Sequence, residues 1–176
     1  MMEVQLSKRT CFAGIVAFLV ASNLVTMVDY LQRRTIIMVR ALQKRDIDRV
    51  ADIWLNTNLK AHYFISDQYW KRNFELVKEM LLQAEVYVYE DDQKIQGFIG
   101  LNGEHIEGIF VSEEMQSQGI GKLLLDDIKT RKTRLSLNVY QKNIRAISFY
   151  QREGFEIQCE GVDEVTGEKE YVMQWQ

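Results

Sequence analysis

The amino-acid sequence predicts an α/β domain, and three observations predict it. Between residues 86 and 111, short runs of bulky and aromatic residues alternate with turn signals, the pattern of an antiparallel meander. Over residues 120–139 a helical apolar repeat is followed by a β-type run, which adds a strand–helix–strand unit. Upstream, two segments carry apolar residues at helical spacing.

Taken in order, residues 36–41 form a short apolar strand, and Arg45-Asp46 opens a helix with Ile47, Val50, Ala51 and Trp54 on one face. The connector Ala61-His62-Tyr63-Phe64 offers polar and aromatic groups for the mouth of a cleft. Ser66 or Asp67 can cap a second helix whose stripe is Trp70, Phe74, Val77 and Leu81. Residues 86–89 and 95–101 make a hairpin turned at Asp91-Asp92, and Asn102-Gly103 turns the chain into a third strand over 106–111. Ile120, Leu124 and Ile128 repeat at helical spacing, and residues 135–139 resume β character. A shorter helix over 143–152 ends at Gly154, and residues 155–159 and 170–174 close the sheet.

Composition narrows the function classes. A chain of 176 residues, 47% hydrophobic and 27% charged, supports one folded domain with a real core. The formal net charge of -3, from 22 basic and 25 acidic residues, creates no broad basic field to recruit nucleic acid. Cys11 and Cys159 make no disulfide framework and fit a reducing compartment. His62 and His105 lie apart from cysteines and paired carboxylates, so no metal is expected.

Residues 11–28 are uncharged and mainly apolar, with Lys8 and Arg9 before them and Arg33 and Arg34 after. Three readings stay open: a marginal membrane anchor, short of the roughly 20 apolar residues a span needs; a secretory signal with a loose cleavage site at Val20-Ala21-Ser22; or a translated start placed too far upstream of Met38. The last is the reading we favour. It divides the chain into an apolar extension, 1–37, and a catalytic domain, 38–176. An anchor would have to leave the catalytic domain facing the cytoplasm.

Chemistry first shows in Gln116-Ser117-Gln118-Gly119-Ile120-Gly121-Lys122. Two glycines in a first helical turn cost roughly 1 kcal/mol each relative to alanine, so close backbone approach is the expected reason. Free N–H groups and the positive end of the helix dipole attract phosphate, and Lys122 can add charge. A dinucleotide fold would need G-x-G-x-x-G, and a P-loop four residues between its glycines followed by Lys-Ser/Thr; neither occurs.

With these residues the sequence resembles the GNAT superfamily of N-acetyltransferases, whose pyrophosphate loop has the pattern Gln/Arg-x-x-Gly-x-Gly/Ala. Gln116, Gly119 and Gly121 match it, and Asn143-Ile144-Arg145-Ala146 with Phe149-Tyr150 and Gly154-Phe155 matches the second motif of the family. The resemblance runs from about Met38 to Trp175. Ala61-His62-x-Phe64 and Leu137-Asn138-Val139 resemble a bacterial, YjaB-like branch, which implies lysine acetylation as one candidate activity.

The resemblance implies a mixed, mostly antiparallel sheet with a V-shaped split between central strands, flanked by about four helices. It also implies acetyl-CoA as cosubstrate and a primary amine, such as a protein lysine, as acceptor. Phe110 and Val111 would offer backbone groups to the pantetheine arm. Gln116, Ser117, Gln118, Gly119, Ile120, Gly121 and Lys122 would hold the pyrophosphate. Asn143 would meet the cofactor from across the split, helix capping being its equal alternative. Tyr150 would donate a proton to the departing thiolate, since a phenol stays protonated at neutral pH. Glu107 is the first candidate base, with Glu104 and His105 as alternatives nearer the turn. His62, Tyr63, Asn138 and Tyr140 are candidates for lining the acceptor site.

Two competing functions remain at this point: a non-catalytic acyl-CoA sensor, which would bind without turnover, and a membrane-anchored interaction protein, which would lose membrane association without residues 1–37. Oligomeric state is open in the sequence, a homodimer included.

Overall fold

β-Branched and aromatic runs separated by tight turns build most of a seven-stranded sheet in the computed structural model, which describes residues 38–176. The apolar run at 11–28 lies outside the described residues. The strands are β1 (Met38–Ala41), β2 (Glu85–Asp91), β3 (Lys94–Asn102), β4 (His105–Val111), β5 (Leu135–Tyr140), β6 (Glu156–Val162) and β7 (Lys169–Trp175), in the spatial order β1-β2-β3-β4-β5-β7-β6. All neighbours pair antiparallel except β4 and β5. The β2–β3 turn places Asp92 and Gln93 at φ 48 and 61, as a two-residue turn of this type demands, and Gly103 takes φ 63 in the next turn.

Five α-helices cover the two faces: α1 (Ile47–Ala61), α2 (Asp67–Arg72), α3 (Phe74–Leu81), α4 (Ile120–Lys129) and α5 (Ile144–Arg152). Strand alternation sorts the core between them. Val86, Val88, Ile95 and Phe98 pack with Ile47, Val50, Ala51, Ile53 and Leu81 of α1 and α3. Tyr89, Ile99 and Leu101 pack with Leu124, Leu125 and Ile128 of α4 and with Ile147 and Tyr150 of α5.

The single helix expected from residue 66 onward is instead two. Ser66 does cap α2, accepting from Gln68 N–H at 3.3 Å. The regular helix is interrupted at Asn73 (φ -86, ψ 0), whose side-chain amide donates to Tyr69 O at 2.9 Å and competes there with its own backbone N–H, held at 3.3 Å. The expected stripe then divides, Trp70 on α2 and Leu81 on α3.

The feature that positions a site is the weak seam between β4 and β5. They pair only at His105↔Ser136 and Ile106↔Leu137, whereas β5 and β7 pair at six positions. Beyond Ile106 the two strands separate, so the sheet is split in a V that opens toward Val111 and Tyr140.

Candidate active site

One wall of the split is the free edge of β4. Ser112 N–H bonds Gln96 O at 2.7 Å, so strand alternation turns the backbone groups of Phe110 toward β3 and those of Ile109 and Val111 toward the split. This corrects the expectation for Phe110, whose ring stacks on Phe98 with centroids 4.8 Å apart. Ile109, which sequence reasoning did not single out, takes its place. Gly108 pairs with Gly100 and Ile106 with Leu101, leaving Glu107 as the extra residue of a β-bulge. Glu107 is exposed and stands where the split begins. Glu104 is engaged with Arg134, and His105 Nδ1 lies 3.0 Å from Ser136 Oγ, so both alternative bases sit at the closed end.

The glycine loop runs from the end of β4 into α4. Ser117 and Gly119 both have positive φ, 63 and 86, and Gly119 is the N-cap of α4. The first helical bond of α4 here runs from Leu123 N–H to Gly119 O at 3.0 Å. The preceding N–H groups of the first turn have no intrahelical acceptor, and alternating left-handed residues gather such groups into an anion-binding concavity. A Cβ on Gly119 would meet nothing within 4 Å. The glycine is therefore demanded by backbone conformation, and the space beside it is open. That fits a phosphate held by main-chain amides.

Side chains brace this loop. Gln116 Nε2 donates to Val111 O at 3.1 Å, and its Oε1 accepts from Arg145 at 2.8 Å, while Arg145 also donates to Ser117 Oγ at 3.0 Å. Gln118 donates to Glu114 O at 3.0 Å. Arg145 thus ties α5 to the loop, a role invisible in the sequence because its partners lie some 30 positions earlier. Lys122 departs from expectation. It pairs with Asp126 at 3.0 Å and Glu153 at 3.1 Å, and the Asp126 bond leads the upward shift of its pKa.

Tyr150 faces inward from α5, 7% exposed, with its ring against Phe149 at 5.2 Å and Phe155 at 5.5 Å. Burial pushes its phenol well above the usual tyrosine range, so it is a neutral donor at any physiological pH.

The four acceptor candidates divide. His62 and Tyr140 meet, their rings 5.1 Å apart, with Phe64 beside both. Tyr140 donates to Asp163, and Asn138 to Glu170. Both project from the face of β5 opposite the buried Leu137 and Val139. Tyr63 is 78% exposed and touches the group only through Phe64. His62 Nδ1 lies 2.9 Å from Asn58 Oδ1 and its Nε2 3.1 Å from Asn143 Nδ2. Asn143 Oδ1 caps α5 by accepting from Ala146 N–H at 3.2 Å, so both ends of its amide are engaged.

Burial lowers the His62 imidazole from 6.5 to about 4. A depressed pKa gives stability that is complete above the unfolded value and is lost as pH falls toward the folded one. The urea midpoint is accordingly expected to decline between pH 6.5 and 4, and His62→Gln to remove that share of the decline.

Comparison with known proteins places this geometry. The Acetyltransferase (GNAT) domain family matches residues 83–157, from β2 through α5. The peptidyl-lysine N-acetyltransferase YiaC of Escherichia coli is 36% identical over 141 residues, covering 78% of this chain and 96% of that protein. The apo form of YjaB from Escherichia coli superimposes with a TM-score of 0.72 at 23% identity, over 80% of this chain and 97% of that one. PaiA N-acetyltransferase from Thermoplasma acidophilum, solved in complex with coenzyme A, gives 0.65 at 18% identity, over 80% and 98%. The chain belongs to the GNAT family of N-acetyltransferases, with the mixed, split α/β sheet that its sequence implied. It is an acyltransferase. Among the described residues, no helix is long and apolar enough to cross a membrane.

Because the Lys122 charge is already engaged at the surface, Lys122→Ala is expected to change KM for acetyl-CoA by less than about threefold, as steady-state kinetics would show.

Proposed function

We propose that residues 38–176 form a catalytic domain that transfers an acetyl group from acetyl-CoA to the ε-amine of a protein lysine, working in the cytoplasm where acyl-CoA is made. The observation that carries this reading is the juxtaposition across one split: an amide-lined loop with two left-handed residues on one side, and a helix bearing a buried, neutral Tyr150 on the other. The lysine acceptor is supported by YiaC, which shares 36% identity and is a peptidyl-lysine N-acetyltransferase.

Acetyl-CoA supplies an activated thioester. Main-chain amides over 117–121 hold its pyrophosphate, and the backbone groups of Ile109 and Val111 hold the pantetheine arm by strand-like pairing. Glu107, at the bulge, takes the proton that the acceptor ammonium must lose, through water. The amine nitrogen then bonds the acyl carbon as the carbon–sulfur bond breaks, Tyr150 gives its hydroxyl proton to the leaving sulfur, and the second proton that the nitrogen sheds on becoming an amide returns through water to the Tyr150 oxygen. Tyr63, Asn138 and Tyr140 flank the acceptor's approach. No covalent enzyme intermediate is required, since positioning within a ternary complex suffices.

The test is release of CoA thiol by the full chain with acetyl-CoA and a panel of lysine peptides, protein amino termini, polyamines and small amines. Lysine-peptide-dependent release is expected. Release with polyamines alone would overturn the acceptor class, and tight binding with no release across the panel would make the protein a sensor.

A further inference from the structure

We infer that Asn58, His62 and Asn143 form a directional strut that spans the split and positions α5, which makes His62 a positioning residue rather than an acceptor contact. The inference rests on the acetyl-transfer reading above.

The direction of the strut is fixed at its buried end. Asn58, 2% exposed, donates its amide N–H to Trp54 O at 2.9 Å, so its Oδ1 faces His62. That oxygen can only accept, so the His62 proton sits on Nδ1, 2.9 Å away. Nε2 is then left with its lone pair, and it accepts from Asn143 Nδ2 at 3.1 Å. Asn143 Oδ1 is consequently free to cap α5 at Ala146 N–H, at 3.2 Å. Reversing any one of these groups would set two donors or two acceptors against each other. The imidazole is also clamped edgewise and facewise, stacked on Trp70 at 5.4 Å and meeting Tyr140 at 5.1 Å.

The mechanical context gives the strut its role. Asn58 and His62 belong to α1 and its C-cap, which pack on the β2–β4 half of the sheet; Asn143 follows β5 in the other half. The two halves are joined by strand pairing only at the closed end of the split. The strut joins them again on the far side of it. The helix it holds carries Arg145, which braces the loop through Gln116 and Ser117, and Tyr150 one further turn and a half along. A proton donor must stay within hydrogen-bond reach of its target, and a displacement of about 1 Å can cost up to a hundredfold in rate.

The test uses the full chain. His62→Phe keeps the ring stacking and removes both nitrogens. His62→Gln restores one donor and one acceptor at similar spacing. Asn143→Ser keeps a good cap for α5 but removes the donor to His62. The expectation is a loss of about tenfold or more in kcat/KM for acetyl-CoA in His62→Phe and in Asn143→Ser, substantial recovery in His62→Gln, and a lower urea midpoint in His62→Phe, which strands the buried Asn58 Oδ1. The double variant should be no worse than the poorer single variant, because both cut the same strut. Losses that multiply in the double variant, a folded His62→Phe enzyme with wild-type kinetics, or an effect confined to KM for the acceptor would overturn the inference. Were the wild-type chain to release no thiol, the transfer reading would fall separately, and calorimetric binding of acetyl-CoA to the same variants would carry the test. Weaker binding in His62→Phe and Asn143→Ser with recovery in His62→Gln supports the strut, and equal binding overturns it.

Discussion

Replacing Tyr150 with phenylalanine is expected to lower kcat by about two to three orders of magnitude, while KM for acetyl-CoA and the urea midpoint stay near wild type. The separation follows from how the residue is held. Its ring packs among Phe149, Phe155 and the apolar core, and phenylalanine preserves that packing. Only the hydroxyl is lost, and with it the proton for the departing sulfur. The pH dependence has a definite sign. Burial raises the phenol above its ordinary value of 10.0, so the neutral form is favoured in the fold. The associated stability is present below that value and is lost as pH rises beyond it. The alkaline limb of kcat due to Tyr150 should thus lie above the ordinary tyrosine range and vanish in the variant. Full activity in Tyr150→Phe would remove the tyrosine from the mechanism.

Gly119→Ala is expected to raise KM for acetyl-CoA by about tenfold or more and to cost about 1 kcal/mol of stability. Nothing in the protein would collide with the new methyl group. The cost arises because φ of 86 is a left-handed conformation that alanine resists. Relieving that resistance rotates the loop amides away from a shared focus. Gly103→Ala supplies the matched control, since Gly103 also has positive φ with open space around it but lies at the β3–β4 turn. It should lose comparable stability and bind acetyl-CoA as wild type does. Equal KM in both variants would mean that the loop does not hold the cofactor.

Much of this architecture was legible because it is written locally. The meander, the helix after the glycines and the Asn143 cap follow from period, turn chemistry and capping rules acting over a few residues. What was not legible depends on long-range partners. The break at Asn73 comes with a side-chain bond to Tyr69 O that a stripe of apolar residues does not reveal. The facing of Phe110 and Ile109 depends on the register with β3, set by a bulge at Glu107 that no local signal marks. His62 and Asn143 were each noticed for other reasons, yet their bond joins residues 81 positions apart. Arg145 looked like one letter of a motif until its partners Gln116 and Ser117 came into view.

A seam paired at one end and clasped at the other only by side chains behaves as a buckled strap. The paired end is His105 and Ile106, and the buckle is His62 between Asn58 and Asn143. The width of the opening between them is therefore set at both ends, and substitutions that reshape Ser136 or Leu137 would change it without touching any group proposed to handle the substrate.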